Sequence, residues 1–203
     1  MDGKDKFAGA YVQDPQKGKH EWVYDLDITS MYPSIIMSLN ISPETKLGKL
    51  DSWDVEPFLK GVDRTYSIKD KNGKESAKLT TSEFKNFLET HNVSISSNGV
   101  LYTQDRKGLI PTLLENWFND RVQFRKLAKK FAEQGDKEKY AYFDRRQYIQ
   151  KVVLNSLYGV LGLPIFRFYD LDNAEATTTT GVELIKYTKR MSNHFYNSVV
   201  EDK

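Results

Sequence analysis

The residues best suited to chemistry are Asp27-Ile28-Thr29-Ser30-Met31-Tyr32-Pro33-Ser34-Ile35-Ile36. A carboxylate ends a predicted strand, and a tight connection leads into a predicted helix. The first turn of a helix has unpaired backbone N–H groups and a positive dipole end, which suits a polyphosphate. Mg²⁺ is a hard cation held through one or two carboxylates plus substrate phosphates, so Asp27 beside that helix suits it as well. An edge strand with a solvated aspartate and a proline-opened helix would use the same residue types, and the motif alone leaves both readings open.

A second constellation falls on two predicted helices. Arg121 and Arg125 are spaced i,i+4 and share a face, as do Lys151 and Asn155, with Tyr158 and Gly159 following one turn later. Arginine forks match phosphate oxygens, so two arginines and a lysine converging from antiparallel helices would grip a triphosphate. The same helices carry Lys126, Lys129, Lys130, Lys137, Lys139, Arg145 and Arg146. Ordinary solvated helix charge therefore accounts for the spacing equally well.

The elements that must position these groups follow from periodicity. Residues 22–28 alternate as a strand, with Trp22, Tyr24, Leu26 and Ile28 on one face and Val23, Asp25 and Asp27 on the other. Pro33 suits the first turn of a short helix. Residues 41–111 are mixed, with Asn72-Gly73 as a turn signal. Thr112-Leu113-Leu114-Glu115 reads as a capping box opening a helix to about Gln134, and Gly135 stops it. Asp136 caps a second helix running to about Leu157, so short a turn making the pair an antiparallel hairpin. A last helix begins near Asp172, with Glu175 three residues on. Its stripe of Leu184, Tyr187, Met191, Phe195 and Val199 is spaced to face a core.

Bulk properties narrow the class without choosing a function. With 203 residues, 39% hydrophobic and 29% charged, the chain has a globular balance. A net charge of +2 gives no global nucleic-acid signal. The absence of cysteine excludes disulfides, thiolate metal sites and cysteine nucleophiles, and it fits a reducing cytoplasm. No apolar run reaches the roughly 20 residues that span a bilayer, so no membrane partner is expected.

Asp27 to Ile36 resembles the first polymerase motif of family B DNA polymerases, and Lys151-Val152-Val153-Leu154-Asn155-Ser156-Leu157-Tyr158-Gly159 resembles the second. They occur in the family's order with a helical hairpin between. Gly9-Ala10-Tyr11-Val12, Asn40-Ile41-Ser42-Pro43-Glu44-Thr45, Asn98-Gly99-Val100-Leu101-Tyr102 and Phe166-Arg167-Phe168-Tyr169-Asp170-Leu171 resemble polymerases of T-even-like phages. The resemblance covers nearly the whole chain.

It implies an α+β (mixed α/β) fold: a partial palm sheet with flanking helices and a two-helix antiparallel fingers hairpin. Residues 1–111 and 161–203 would be palm and 112–160 fingers. Asp27 would be the catalytic metal ligand for two Mg²⁺ ions, with the Ile28 carbonyl a further ligand. Amides at Ser30, Met31 and Tyr32 would hold the dNTP triphosphate, and Tyr32 would be a steric gate against the ribose 2′-OH. Arg121, Arg125, Lys151 and Asn155 would contact the phosphates; Arg125 stands where relatives often have lysine. Tyr158 and Gly159 would face the nascent base pair, and Thr179 and Gly181 the template of a primer-template DNA. The family's Asp-Thr-Asp motif does not occur in the sequence, which ends Val200-Glu201-Asp202-Lys203. The resemblance therefore implies a fragment or split subunit of a cytoplasmic DNA-directed DNA polymerase. A complementary polymerase fragment would carry the third motif and thumb, and the isolated chain is expected to be inactive. The alternative is a catalytically inactive nucleotide- or DNA-binding module.

Overall fold

The computed structural model describes residues 10–201 apart from 22 and 24. Ser30 takes a left-handed backbone (φ +51°), its carbonyl accepts from the Ser34 N–H at 2.9 Å, and helix α1 (Met31–Leu39) follows. Pro33 occupies the first turn, where its missing N–H leaves no bond unmade. Asn40 then ends α1 in a left-handed conformation (φ +59°) and does much more than cap it. Its side-chain amide donates to the Thr103 and Arg106 carbonyls at 2.6 and 2.8 Å, and its Oδ1 accepts from the Gly108 N–H at 2.8 Å. One buried amide thus ties the end of α1 to a strand and to the next long helix.

The expected strand over residues 22–28 is corrected: residues 23 and 25–28 have no regular structure, and 22 and 24 lie outside the described residues. Alternation makes a segment eligible to be a strand, but a strand forms only where a partner accepts its ladder bonds. No strand of the described sheet pairs with this segment.

That sheet has five strands, all antiparallel, in the order β3-β2-β1-β5-β4. They are β1 (Lys46–Asp51), β2 (Thr65–Asp70), β3 (Glu75–Thr80), β4 (Val93–Ile95) and β5 (Val100–Thr103). Asn72-Gly73 does form the β2–β3 turn; Gly73 is left-handed (φ +78°), and the Asp70 carboxylate accepts from the Asn72 and Lys74 N–H groups. Short helices α2 (Val55–Leu59) and α3 (Thr81–Thr90) join a cluster built from Leu50, Tyr66, Ile68, Phe84 and Leu101. Side-chain alternation along β5 sends Val100 and Tyr102 into a second cluster with Ile35, Ile36, Leu114 and Leu154. β5 is therefore buried on both sides and joins the two cores.

Gly99, with φ +82°, approaches Trp53 so closely that an added Cβ would lie 2.7 Å from the tryptophan Cβ. Gly99→Ala is expected to destabilise the fold by about 2 kcal/mol through left-handed strain and overpacking. A urea unfolding midpoint equal to that of the parent chain would show this expectation to be wrong.

The long hairpin is present as α4 (Leu109–Glu133) and α5 (Lys137–Leu161). Gly135 (φ +73°) makes the stop, and the Asp136 carboxylate caps α5 by accepting from the Lys139 N–H at 3.0 Å. The ring of Phe143 on α5 stacks on Phe131 of α4 at 5.5 Å. The predicted capping box at Thr112 is not used. α4 starts three residues earlier, because Glu44 and Ser42 from the loop after α1 accept from the Leu109 and Ile110 N–H groups. Glu115 pairs with Lys107 instead. A cap supplied from that far away in the chain leaves no local signature.

Helix α6 (Leu171–Glu201) begins as expected, with Asp170 accepting from the Asn173 N–H. Its predicted core stripe is corrected. Leu184, Tyr187, Met191 and Phe195 are 39–60% exposed, and the side chain of Val199 lies outside the described residues. The buried part is the first turns, where Asn173, Ala174, Ala176, Thr177 and Thr178 pack against the rest. Small side chains let those turns approach closely, whereas the later turns have the period of a buried face without a described element on it.

Candidate functional site

Three helices meet around the start of α1. The first N–H groups of a helix have no partner within it, and at α1 the Ser30 side chain does not cap them. Arg121 reaches this point from α4, its Nη1 donating to the Ser30 Oγ at 3.4 Å. The Arg121 Nε is buried, with no acceptor among the described residues. Burial holds this guanidinium below the usual arginine pKa, and the neighbouring Arg125 charge pushes in the same direction. A partly desolvated cation with an unpaired donor, set beside the positive end of a helix, is an arrangement that an anion would complete.

Tyr32 is held from two directions. Its ring lies 4.5 Å from that of Tyr158 on α5, tilted by 35°. On the other side stands α6: a Cβ added at buried Gly181 would lie 3.2 Å from the Tyr32 Cε1 and 3.3 Å from the Met31 Cε. A residue without a side chain lets α6 come this near without moving either neighbour. Burial raises the Tyr158 phenol pKa, the nearby Tyr32 adds to the rise, and the Thr178 hydroxyl opposes it.

The structure therefore joins Ser30, Met31, Tyr32, Arg121, Tyr158 and Gly181 by contact. Arg125, Lys151 and Asn155 are exposed. Arg125 lies one turn beyond Arg121, and Lys151 and Asn155 lie on the row that leads to Tyr158, so both rows run outward from α1. Gly159 is exposed, with open space where a side chain would be. Thr179 bonds its hydroxyl to the Glu175 carbonyl and lines a groove of about 730 Å³ with Tyr11, Trp53, Lys186 and Arg190. Asp27 is exposed and Ile28 half-buried, and among the described residues Asp27 makes no hydrogen bond or ion pair. Among the described residues no three carboxylates or histidines are arranged so as to hold a metal ion.

Sequence reasoning missed Asn40 and a set of ion pairs. Lys46 Nζ lies 2.9 Å from Asp170 and 2.8 Å from Asp172, and Lys49 Nζ lies 2.8 Å from Asp172 and 3.4 Å from Glu175. The partners are more than 120 residues apart, and no local pattern marks such pairs.

Comparison with known proteins agrees along the whole chain. The pattern that defines DNA polymerase family B matches residues 1–202. The chain is 26% identical to the DNA-directed DNA polymerase of Escherichia phage RB69, covering 95% of the chain and 24% of that protein. It is 27% identical to the enzyme of Enterobacteria phage T4, covering 97% and 25%. Among solved structures, the family B DNA polymerase of the archaeon Pyrobaculum calidifontis aligns over 91% of the chain and 20% of that protein, with TM-score 0.55 and 27% identity. The chain spans about a quarter of the length of the phage relatives.

Proposed function

The chain belongs to DNA polymerase family B, and from that premise we propose that it supplies the dNTP-binding part of a two-metal nucleotidyl-transfer site. In this reading residues 1–111 and 161–203 form palm and the α4–α5 hairpin within 112–160 forms fingers. The observation that carries it is the Arg121 guanidinium, partly buried, with an unpaired Nε, at the start of α1.

The amides of Ser30, Met31 and Tyr32 receive the triphosphate at the helix end. Arg121 contacts it directly, and Arg125, Lys151 and Asn155 extend the grip along the hairpin. Closing of the hairpin on the bound nucleotide would bring the exposed members of that row inward. Tyr32, wedged between Tyr158 and Gly181, stands where the sugar would lie and refuses a 2′-OH by shape. Tyr158 and Gly159 border the base pair, and Thr179 and Gly181 the template of the primer-template DNA.

Family B DNA polymerases use divalent metal ions with dNTPs. The donor set here fits part of that requirement. The Asp27 carboxylate is exposed, with no partner among the described residues, and the Ile28 carbonyl is adjacent; both are hard oxygen donors of the kind Mg²⁺ takes together with substrate phosphates. Bound there, the metal would neutralise charge on the triphosphate. The further carboxylates of a two-metal site would come from a polypeptide segment bearing an Asp-Thr-Asp motif, which this sequence lacks.

Equilibrium binding of a fluorescent dNTP tests the reading. Arg121→Ala is expected to weaken binding about tenfold, the lower range for a hydrogen bond to a charged group in a partly solvated site. Lys137→Ala, at the far end of the hairpin, should have no effect. Equal affinity in the parent chain and in Arg121→Ala would rule out a phosphate site at the start of α1.

A further inference from the structure

We propose that the five-stranded sheet positions the sugar-sensing tyrosine: Lys46 and Lys49 of β1, pairing with Asp170, Asp172 and Glu175, fix the first turns of α6 and through them the Tyr32–Tyr158 pair. The proposal deepens the nucleotide-site reading above and rests on it for the meaning of Tyr32, although not for the coupling itself.

Each lysine bridges two carboxylates, so the links form a connected network and not isolated surface pairs. Lys46 and Asp170 are the most enclosed members, with side chains 14% and 19% exposed. The β4–β5 turn adds hydrogen bonds. The Asn98 amide donates to the Asp172 carbonyl and to the Glu175 carboxylate at 3.1 Å each, and the Ser97 N–H donates to the Thr180 hydroxyl at 3.1 Å. From β5 the Tyr102 hydroxyl donates to the Asn173 Oδ1 at 2.8 Å. Burial, reinforced by Asp170 and Asp172, raises the Tyr102 phenol pKa and keeps it a donor. Burial alone would raise the Asp172 pKa, but its bonds to Lys46 and Lys49 outweigh that and hold the carboxyl below its usual range. Both lysines are therefore felt by this aspartate.

The far end of the clamped segment is the part of α6 that touches the site. Thr178 stands beside Tyr158, and Gly181 faces Tyr32 and Met31 with room for little more than its own hydrogen atoms. Thr180, bonded to the sheet, lies between them in sequence. A rigid helix transmits a displacement of its first turn along its length, and Gly181 carries it to the Tyr32 ring and Met31. Removing the Lys46 charge leaves Asp170 and Asp172 without their shared cation, which loosens the first turn of α6 on the side that Lys49 does not hold.

The absence of cysteine and the presence of 12 tyrosines favour a readout by ¹⁹F NMR of the chain labelled with 3-fluorotyrosine. Tyr32→Phe, Tyr158→Phe and Tyr66→Phe assign three resonances. In Lys46→Met and in Asp172→Asn the Tyr32 and Tyr158 resonances are expected to shift, while that of Tyr66, within the separate cluster around Phe84, stays in place. Lys46→Arg should restore the parent spectrum. The ratio of dNTP to rNTP affinity should fall in the two shifted variants by roughly two- to thirtyfold, the usual range of coupling between linked positions. If Lys46→Met does not fold, Lys49→Met at a more exposed position is read in its place. Unmoved Tyr32 and Tyr158 resonances in folded Asp172→Asn and in the lysine variant overturn the proposal whether or not a triphosphate binds. A parent chain that binds no triphosphate would instead overturn the nucleotide reading while leaving the coupling to be judged by the spectra.

Discussion

Primer extension by the 203-residue chain alone is expected to be undetectable with either Mg²⁺ or Mn²⁺, and to appear when a fragment bearing the Asp-Thr-Asp motif and thumb is added. In-line displacement at a phosphoryl group develops charge on the attacking and leaving oxygens, and two cations about 3.5–4 Å apart are needed to stabilise both. Asp27, even with Asp25 two residues away, offers carboxylates from a single segment, and no three such groups among the described residues are arranged so as to hold a metal ion. Holding two cations at fixed separation takes ligands from two places. In the mixture, Asp27→Ala should reduce extension by about 10³-fold, the upper range for removing one charge-stabilising group from an active site. Robust extension by the chain alone, abolished by Asp27→Ala, would show that the site is already complete. No extension from the mixture, with dNTP binding intact, would favour a nucleotide-binding module without catalysis.

Tyr32→Ala is expected to lower the preference for deoxyribonucleotides over ribonucleotides by roughly ten- to two-hundredfold, the discrimination that a shape-selective pocket typically delivers. The ring is packed between Tyr158 at 4.5 Å and the backbone of α6 at Gly181. Both neighbours limit how far it can swing aside for a 2′-OH. Removing it opens that volume while leaving the start of α1 and Arg121 in place, so the loss should lie in sugar choice and not in phosphate affinity. The comparison is between the dissociation constants of a dNTP and the matching rNTP, followed by incorporation efficiencies in the complemented enzyme. An unchanged ratio in Tyr32→Ala would assign Tyr32 to packing alone. Tyr32→Phe should keep the preference, since the argument needs the ring and not the hydroxyl.

Much of what these experiments address was legible in the sequence, because it is local. Helix period placed Arg121 with Arg125 and Lys151 with Asn155 and Tyr158. Asp136 capped α5 because a side chain three residues from an N–H reaches it without tertiary help. Asn72-Gly73 turned because glycine tolerates positive φ. Two motifs in order were enough to indicate the family. Tertiary structure alone decided the rest. Residues 25–28 alternate like a strand and are not one, since ladder bonds belong to a pair of strands and no single segment encodes its partner. The α6 stripe has a buried period and an exposed surface, since periodicity reports that one face differs from the other without saying what covers it. α4 starts early because Ser42 and Glu44 arrive from another part of the chain. The wedge of Tyr32 between Tyr158 and Gly181, and the Lys46–Asp170 clamp spanning 124 residues, depend on charge and shape meeting across the fold. Such complementarity has no period and no fixed spacing, so only the folded chain displays it.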